Sequence, residues 1–161
     1  VHPLAISNYY KRAIEGRSSF QMEFGWTGTF DPSSWFAVPA AIEFIGSLLP
    51  GGWDQLRERN QKLAIEARDL ICEALEVDPP APDAMLGSLA AVPLPDRREP
   101  VELGAFETDP LQEELWREHG IEVPVIDWPE GPSRLLRVSC QLYNHREQYE
   151  RLAEVLGRLL D

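Results

Sequence analysis

The chain has 161 residues and a formal net charge of −12, from 15 Lys and Arg against 27 Asp and Glu. Few cations are available to contact phosphates, which argues against nucleic acid and anionic membrane surfaces as partners. Hydrophobic residues make up 43% of the chain and charged residues 26%, the balance of a globular protein. The sequence also contains no apolar run of about 18 residues, the length that spans a membrane.

The cysteines indicate the cellular compartment of the protein, and the first residues indicate whether a longer polypeptide is expected. Cys72 and Cys140 are far apart and form no Cys-x-x-Cys motif, so we expect reduced thiols in a cytoplasmic protein. Residues 1–7 lack the basic stretch and apolar core of a signal peptide. Because the sequence begins with Val rather than Met, we expect it to be part of a longer polypeptide or to have been processed.

Aromatic residues and glycines dominate the first part of the chain. Residues 1–7 are compatible with a short strand, and residues 18–30 indicate an ordered loop covered by other parts of the protein. Asp31 and Pro32 mark a helix start, because Asp accepts from free backbone N–H groups and Pro fits the first turn. Residues 36–49 are apolar on nearly every side, which predicts a buried helix.

Helices and short strands alternate in the remainder. Apolar residues over 53–77 recur at spacings of three, four and seven, which predicts a long amphipathic helix with Arg59 and Arg68 among its solvent-facing residues. The proline-rich segment 78–82 ends it. Asn144 is expected to cap the last helix, with Glu147 completing a capping box. Strands are predicted over 85–94, 121–126 and 134–140, and a further helix over 111–119.

This order of elements predicts an α+β fold. A small antiparallel or mixed sheet is covered by helices on one face, because each element must bury its apolar side against another layer. Residues 1–50 do not fit into this layer and indicate the edge of another unit.

The segment from Trp26 to Pro32 is a candidate phosphate-binding turn. Gly28 lets the backbone approach a ligand, Thr29 offers a hydroxyl, and the following helix start offers free N–H groups. The same residues also fit a helix cap inside an aromatic loop. The pattern alone favours the cap.

Two arginines, Arg134 and Arg137, lie in a strand that we expect to be half-buried, on opposite faces of the sheet. An arginine in such a strand needs an anionic partner, and its planar fork suits a carboxylate. The partner is either a ligand or one of the chain's own acids, and the pattern alone favours an internal ion pair. No metal site is expected, because the three histidines, His2, His119 and His145, are isolated from one another.

Together, two motifs resemble a known family. Gly28-Thr29 before a long apolar helix, and Arg137-Val138-Ser139 before a final capped helix, resemble the class V aminotransferases, which are fold type I enzymes dependent on pyridoxal 5′-phosphate (PLP). The sequence Trp-Thr-Gly-Thr-Phe-Asp-Pro-Ser over 26–33 most resembles the isopenicillin N epimerase-like branch. The resemblance covers nearly the whole chain, but only the C-terminal part of the family.

This resemblance implies roles for three residues. Gly28 and Thr29 would bind the PLP phosphate of the neighbouring subunit across a dimer interface, and Arg137 would bind the α-carboxylate of an amino-acid substrate. Arg134 matches no functional position. The implied domains are the tail of the large cofactor-binding domain over 1–50, a connecting helix over 51–82 and the small C-terminal α+β domain over 83–161.

The family's Schiff-base lysine has no counterpart in the sequence. It would precede residue 1, and neither Lys11 nor Lys62 matches its motif. No catalytic residue is therefore assigned, and we do not expect this chain to hold PLP covalently. The expected partners are a second copy of the chain or the missing N-terminal half and, in the intact enzyme, an amino-acid substrate. Epimerisation, β-elimination and C–S cleavage all remain open. The alternatives are a non-catalytic dimerisation or regulatory α+β module, and an unrelated acidic α+β binding domain.

Overall fold

A computed structural model describes residues 10, 12–25, 28–97, 104 and 107–160. The chain divides into two compact units, Val1–Phe44 and Ile45–Asp161. The strand predicted over residues 1–7 lies outside the described residues. The three domains implied by the resemblance, with boundaries after residues 50 and 82, stay a prediction.

Helix α1, Ser19–Phe24, lies where an ordered loop was predicted. The Ser18 hydroxyl accepts from the Gln21 backbone N–H at 3.2 Å, and the Gln21 side chain accepts from the Ser18 N–H at 2.8 Å. This reciprocal capping box satisfies two N–H groups that a helix start otherwise leaves unpaired. The loop prediction over 18–30 is therefore wrong for residues 19–24.

Helix α2, Ser33–Ser47, begins where it was predicted but is not buried. The Ser33 N–H donates to the Asp31 carboxylate at 2.9 Å, and this bond lowers the pKa of Asp31. None of the side chains of α2 is buried, and Trp35 and Phe36 are 71% and 78% exposed. The prediction of burial is wrong for this chain, and the helix presents an apolar surface that water solvates poorly.

The second unit contains the predicted small sheet, which is antiparallel. Its strands are β1 (Leu89–Leu94), β2 (Val125–Asp127) and β3 (Arg134–Ser139), in the spatial order β1-β3-β2. Strand β2 is shorter than predicted, and a 3₁₀ helix at Asp83–Met85 precedes β1 where the strand was expected to begin.

Three helices cover one face of this sheet: α3 (Gly52–Ala74), α4 (Pro110–His119) and α5 (Arg146–Leu160). The α+β prediction is confirmed. In the described part of the chain no single helix is long and apolar enough to cross a membrane, although α2 and α3, bent by 74°, satisfy that test as a pair. The core between helices and sheet includes Leu63, Ala67, Ile71, Val92, Leu115, Leu136, Val138, Leu152 and Leu156.

Arg68 on α3 was predicted to face water but is only 4% exposed. Its guanidinium donates to the carboxylate of Asp83 at 2.6 Å and to the carbonyl of Ala81 at 3.1 Å. The proline-containing segment after α3 folds back over Arg68, and these bonds compensate for its burial.

The capping box predicted at Asn144 and Glu147 is not formed. The Asn144 Oδ1 atom instead accepts from the Gln141 N–H at 2.9 Å. The Gln148 side chain accepts from the His145 N–H at 3.0 Å. The glutamine thus performs, one position later, the role predicted for Glu147.

Candidate functional site

Arg134 lies on the buried face of β3 and is neutralised within the chain. Its Nη1 atom donates to both oxygens of Asp109 at 3.0 and 3.1 Å. Asp109 is 1% exposed and also accepts from Arg97 Nε at 2.9 Å and from the Leu111 N–H at 2.8 Å. Arg97 in turn pairs with Asp127. The internal ion pair favoured for Arg134 is confirmed.

Arg137, three residues later, is exposed and has a different environment. Ala91 lies directly opposite it on β1, and Leu135 and Ser139 flank it along β3 on the same face. Among the described residues no carboxylate pairs with Arg137, although the chain is strongly acidic. The pattern alone favoured an internal ion pair for Arg137, and the described residues form none. The substrate contact that the resemblance implies stays a prediction. The guanidinium is available to an anionic ligand.

A cavity of about 270 Å³ lies beside this end of β3. The segment 120–124 forms one wall, and residues at the start of α5 form the other. Two cations, Arg137 and Arg151, border it together with one acid, Glu122. The rest of its lining combines neutral hydrogen-bonding groups with apolar side chains: Ser139, Asn144, Gln148 and Tyr149, and Ile121, Val123, Pro124, Val138 and Leu152. A small anionic molecule fits this combination of charge and polarity.

Tyr149 connects the cavity to the buried core. Its hydroxyl donates to the Ser139 carbonyl at 2.8 Å, which ties α5 to the last residue of β3. Burial raises the pKa of the Tyr149 phenol. The hydroxyl therefore stays protonated and keeps donating throughout the neutral pH range. Burial likewise raises the pKa of the neighbouring thiol, Cys140, which forms no disulfide.

Gly28 and Thr29 belong to the first unit, a few residues before α2. The φ angle of Gly28 is +147°, which side chains disfavour, yet an added Cβ would meet no atom of the described residues within 4 Å. Thr29 is exposed, and its hydroxyl forms no hydrogen bond with a described residue. An open backbone and a free hydroxyl before a helix suit a phosphate group. Trp26 and Thr27, which precede them, lie outside the described residues.

Three relatives align with most of the chain. Isopenicillin N epimerase of Amycolatopsis lactamdurans is 35% identical over 170 residues, which cover 99% of this chain and 39% of that protein. Isopenicillin N epimerase of Streptomyces clavuligerus is 32% identical over 82% of the chain and 30% of its own length. An L-cysteine desulfhydrase of Arabidopsis thaliana is 28% identical over 86% of the chain and 33% of its own length. The chain belongs to the class V aminotransferase-like family.

Membership of this family confirms the resemblance that the two motifs carry, although no protein-family model matches the chain. The chain spans only 30% to 39% of the length of these relatives. Its residues can therefore correspond to only part of the site of such a relative.

An active site of this PLP-dependent family needs three kinds of contact: to the cofactor phosphate, to a substrate carboxylate, and to PLP through a lysine. The described residues fit the first two. Gly28 and Thr29 suit the phosphate, and Arg137 suits the carboxylate of an amino acid. Lys62 is the one lysine among the described residues, and it is exposed on α3 as predicted. Lys11 lies outside the described residues. No group of three or more His, Cys, Asp and Glu side chains in the described ranges is arranged to hold a metal ion.

The sequence analysis missed two residues on α3 that contact the segment after β3, Arg59 and Asn60. Arg59 was grouped with solvent-facing residues, but its guanidinium donates to the Gln141 and Asn144 carbonyls. Asn60 was not singled out. Its position, between the buried Leu56 and Leu63 on the apolar stripe, is a signal that a buried polar contact is needed there.

Proposed function

We propose that this chain is the C-terminal portion of a PLP-dependent enzyme acting on an amino-acid substrate. In this proposal Gly28 and Thr29 contact the cofactor phosphate, and Arg137 binds the substrate α-carboxylate. The observation that carries it is the exposed Arg137, which has no acidic partner among the described residues and borders a cavity. The relatives support the substrate class, since one is named for L-cysteine and two for isopenicillin N.

The role of Arg137 follows from its fork of N–H donors. Two parallel hydrogen bonds would hold a carboxylate at a fixed angle, which a point charge does not do. Fixing the carboxylate orients the bonds at Cα, so the proton to be moved is presented in one direction. PLP, when bound, supplies the electron-withdrawing ring that makes Cα acidic.

Gly28 and Thr29 have a different role, which is to bind and not to react. Their N–H groups and the Thr29 hydroxyl would donate to phosphate oxygens, and the positive end of α2 adds to the attraction. We propose that the phosphate belongs to the site of a second protomer. The exposed apolar side chains of α2, Trp35 and Phe36 among them, support a homodimer, because a partner would remove them from water.

A chimera tests the proposal. This chain replaces the segment with which it aligns in isopenicillin N epimerase of Amycolatopsis lactamdurans, and the remainder of that enzyme supplies the rest of the site. We expect a folded protein that absorbs at the wavelengths of bound PLP. We also expect it either to epimerise isopenicillin N or to release sulfide from L-cysteine. A folded, PLP-containing chimera that lacks both activities would contradict the proposed substrate contact.

Replacing Gly28 with Ala in the chimera is expected to raise the Kd for PLP about tenfold. The Cβ has space, but an alanine resists this φ angle at a cost of roughly 1–3 kcal/mol, so the phosphate-binding backbone shifts. The measurement is a spectroscopic PLP titration. The matched control is Gly16→Ala, which also has a positive φ angle and an unobstructed Cβ. An equal loss of affinity in the control would mean that backbone strain alone, and not the phosphate contact, explains the result.

A second function, a non-catalytic dimerisation module, is favoured by the exposed face of α2. It predicts that the chain alone forms a stable dimer with no affinity for PLP. Sedimentation of the chain with and without PLP measures whether the dimer forms and whether it responds to PLP. A stable dimer that does not respond to PLP, together with an inactive chimera, would favour the module over the enzyme.

A further inference from the structure

Helix α3 holds the loop that follows the Arg137-Val138-Ser139 motif. Arg59 Nη1 donates to the Gln141 carbonyl and Arg59 Nη2 donates to the Asn144 carbonyl, each at 3.3 Å. Asn60, the next residue, donates from Nδ2 to the Gln141 side-chain oxygen at 3.0 Å. Two adjacent side chains of one helix therefore hold both ends of the loop 141–144.

The loop has little freedom beyond these contacts. The Gln141 side-chain oxygen also accepts from the Leu142 N–H at 2.9 Å, and the Asn144 side chain accepts from the Gln141 N–H. At the preceding residue, the Cys140 N–H donates to the Ser88 carbonyl at 2.8 Å. The path from Arg137 to the start of α5 is thus determined by side chains of α3 and by β1.

Asn60 occupies a buried position at which an apolar side chain would pack with less cost in stability. The residue is 2% exposed, and its Oδ1 atom accepts no hydrogen bond from the described residues. A buried acceptor without a partner lowers stability, and a leucine would fill the apolar stripe without that cost. The amide is therefore best explained by its donor, which fixes Gln141.

We propose that Arg59 and Asn60 are positioning residues for the substrate site. They hold the loop 141–144, and Asn144 in that loop forms part of the cavity beside Arg137. The inference rests on the proposed function of Arg137 and deepens it, because it assigns the placement of the carboxylate site to α3. Neither residue is assigned a contact with the substrate.

The first test uses the full chain labelled with ¹⁵N. In Arg59→Ala, we expect amide hydrogen exchange at Leu142 and Asn144 to accelerate about tenfold, because the bonds that hold the loop are lost. Exchange at the core strand residue Leu136 should not change. The Arg137 side-chain Nε–Hε signal should shift. Arg59→Lys should restore the loop only in part, since one ammonium does not span two carbonyls as the planar fork does.

The matched control is Arg57→Ala on the same helix. Arg57 is exposed and contacts Asp54, at 3.3 Å, and the ring of Trp53, both on α3, so its removal should leave the loop and the Arg137 signal unchanged. An Arg59→Ala variant that melts normally and shows neither faster loop exchange nor a shifted Arg137 signal would overturn the inference. So would an equal effect in Arg57→Ala. Asn60→Leu, which removes the donor and suits the apolar stripe, repeats the test if Arg59→Ala does not fold.

The second test is kinetic and separates this inference from the proposed function. In the chimera, Arg59→Ala should raise KM about tenfold and leave the affinity for PLP unchanged. If Arg137→Ala lowers activity but Arg59→Ala does not raise KM, the positioning role is wrong and the proposed function stands. If Arg137→Ala has no effect while Arg59→Ala still loosens the loop, the proposed function is wrong and α3 only stabilises the loop.

Discussion

Replacing Arg137 with Ala is expected to lower kcat/KM of the chimera about 100-fold. A charge-assisted pair with a carboxylate that loses one partner costs about 2–5 kcal/mol, and each 1.4 kcal/mol is a factor of ten. Folding should be unaffected, because the side chain is exposed and has no partner among the described residues. Steady-state kinetics with either isopenicillin N or L-cysteine, whichever the chimera accepts, provides the measurement.

Two further variants identify the cause of that loss. Arg137→Lys keeps the charge and loses the fork, so we expect kcat/KM to fall about tenfold rather than 100-fold. Arg117→Ala removes an exposed arginine that pairs with Glu113 at 3.4 Å, and it should leave the kinetics unchanged. If Arg137→Ala retained the activity of the unmodified chimera, the carboxylate contact would be wrong.

The second large effect is expected at Asp109, on stability rather than activity. Asp109→Asn should lower the free energy of unfolding by about 3–5 kcal/mol, the cost of leaving buried charges without their partner. The side chains of Arg97 and Arg134 are 6% and 8% exposed, and both donate to this carboxylate. The asparagine still offers one oxygen to the Leu111 N–H, so the start of α4 retains its cap.

Urea unfolding of the full chain measures this effect as a lower midpoint at an unchanged slope. Glu113→Gln is the matched control, since it removes an exposed carboxylate on the same helix, which contacts the exposed Arg117 and the Thr108 hydroxyl. Such a surface pair contributes at most about 1 kcal/mol. A change at Asp109 no larger than that of the control would show that the buried cluster does not stabilise the fold.

The features that sequence could predict are those that depend on neighbours along the chain. Alternation in a strand places Arg134 and Arg137 on opposite faces, and the structure has one buried and the other exposed. The Asp109-Pro110 start and Gly120 end of α4 follow in the same way from local capping. Helix α1 was not predicted, although its capping residues Ser18 and Gln21 are close in sequence. The aromatic residues around them were taken to indicate a loop.

The features that sequence could not predict depend on residues far apart. Arg59 and Asn60 contact residues more than 80 positions later, and no periodicity reports such a pairing. Arg68 is buried because the segment after α3 folds back on it, which composition does not reveal. The apolar character of α2 predicts burial, but not that the described residues of this chain leave the helix exposed.

The central claim is that this chain supplies contacts to PLP and substrate but not the lysine that binds the cofactor. Its most direct test is mass-spectrometric mapping of the chimera after incubation with PLP and reduction with borohydride. We predict a stoichiometric adduct on a lysine of the epimerase portion and none on Lys62 or Lys11. A stoichiometric adduct on either of those two residues, or a folded chimera with no adduct, would contradict the claim.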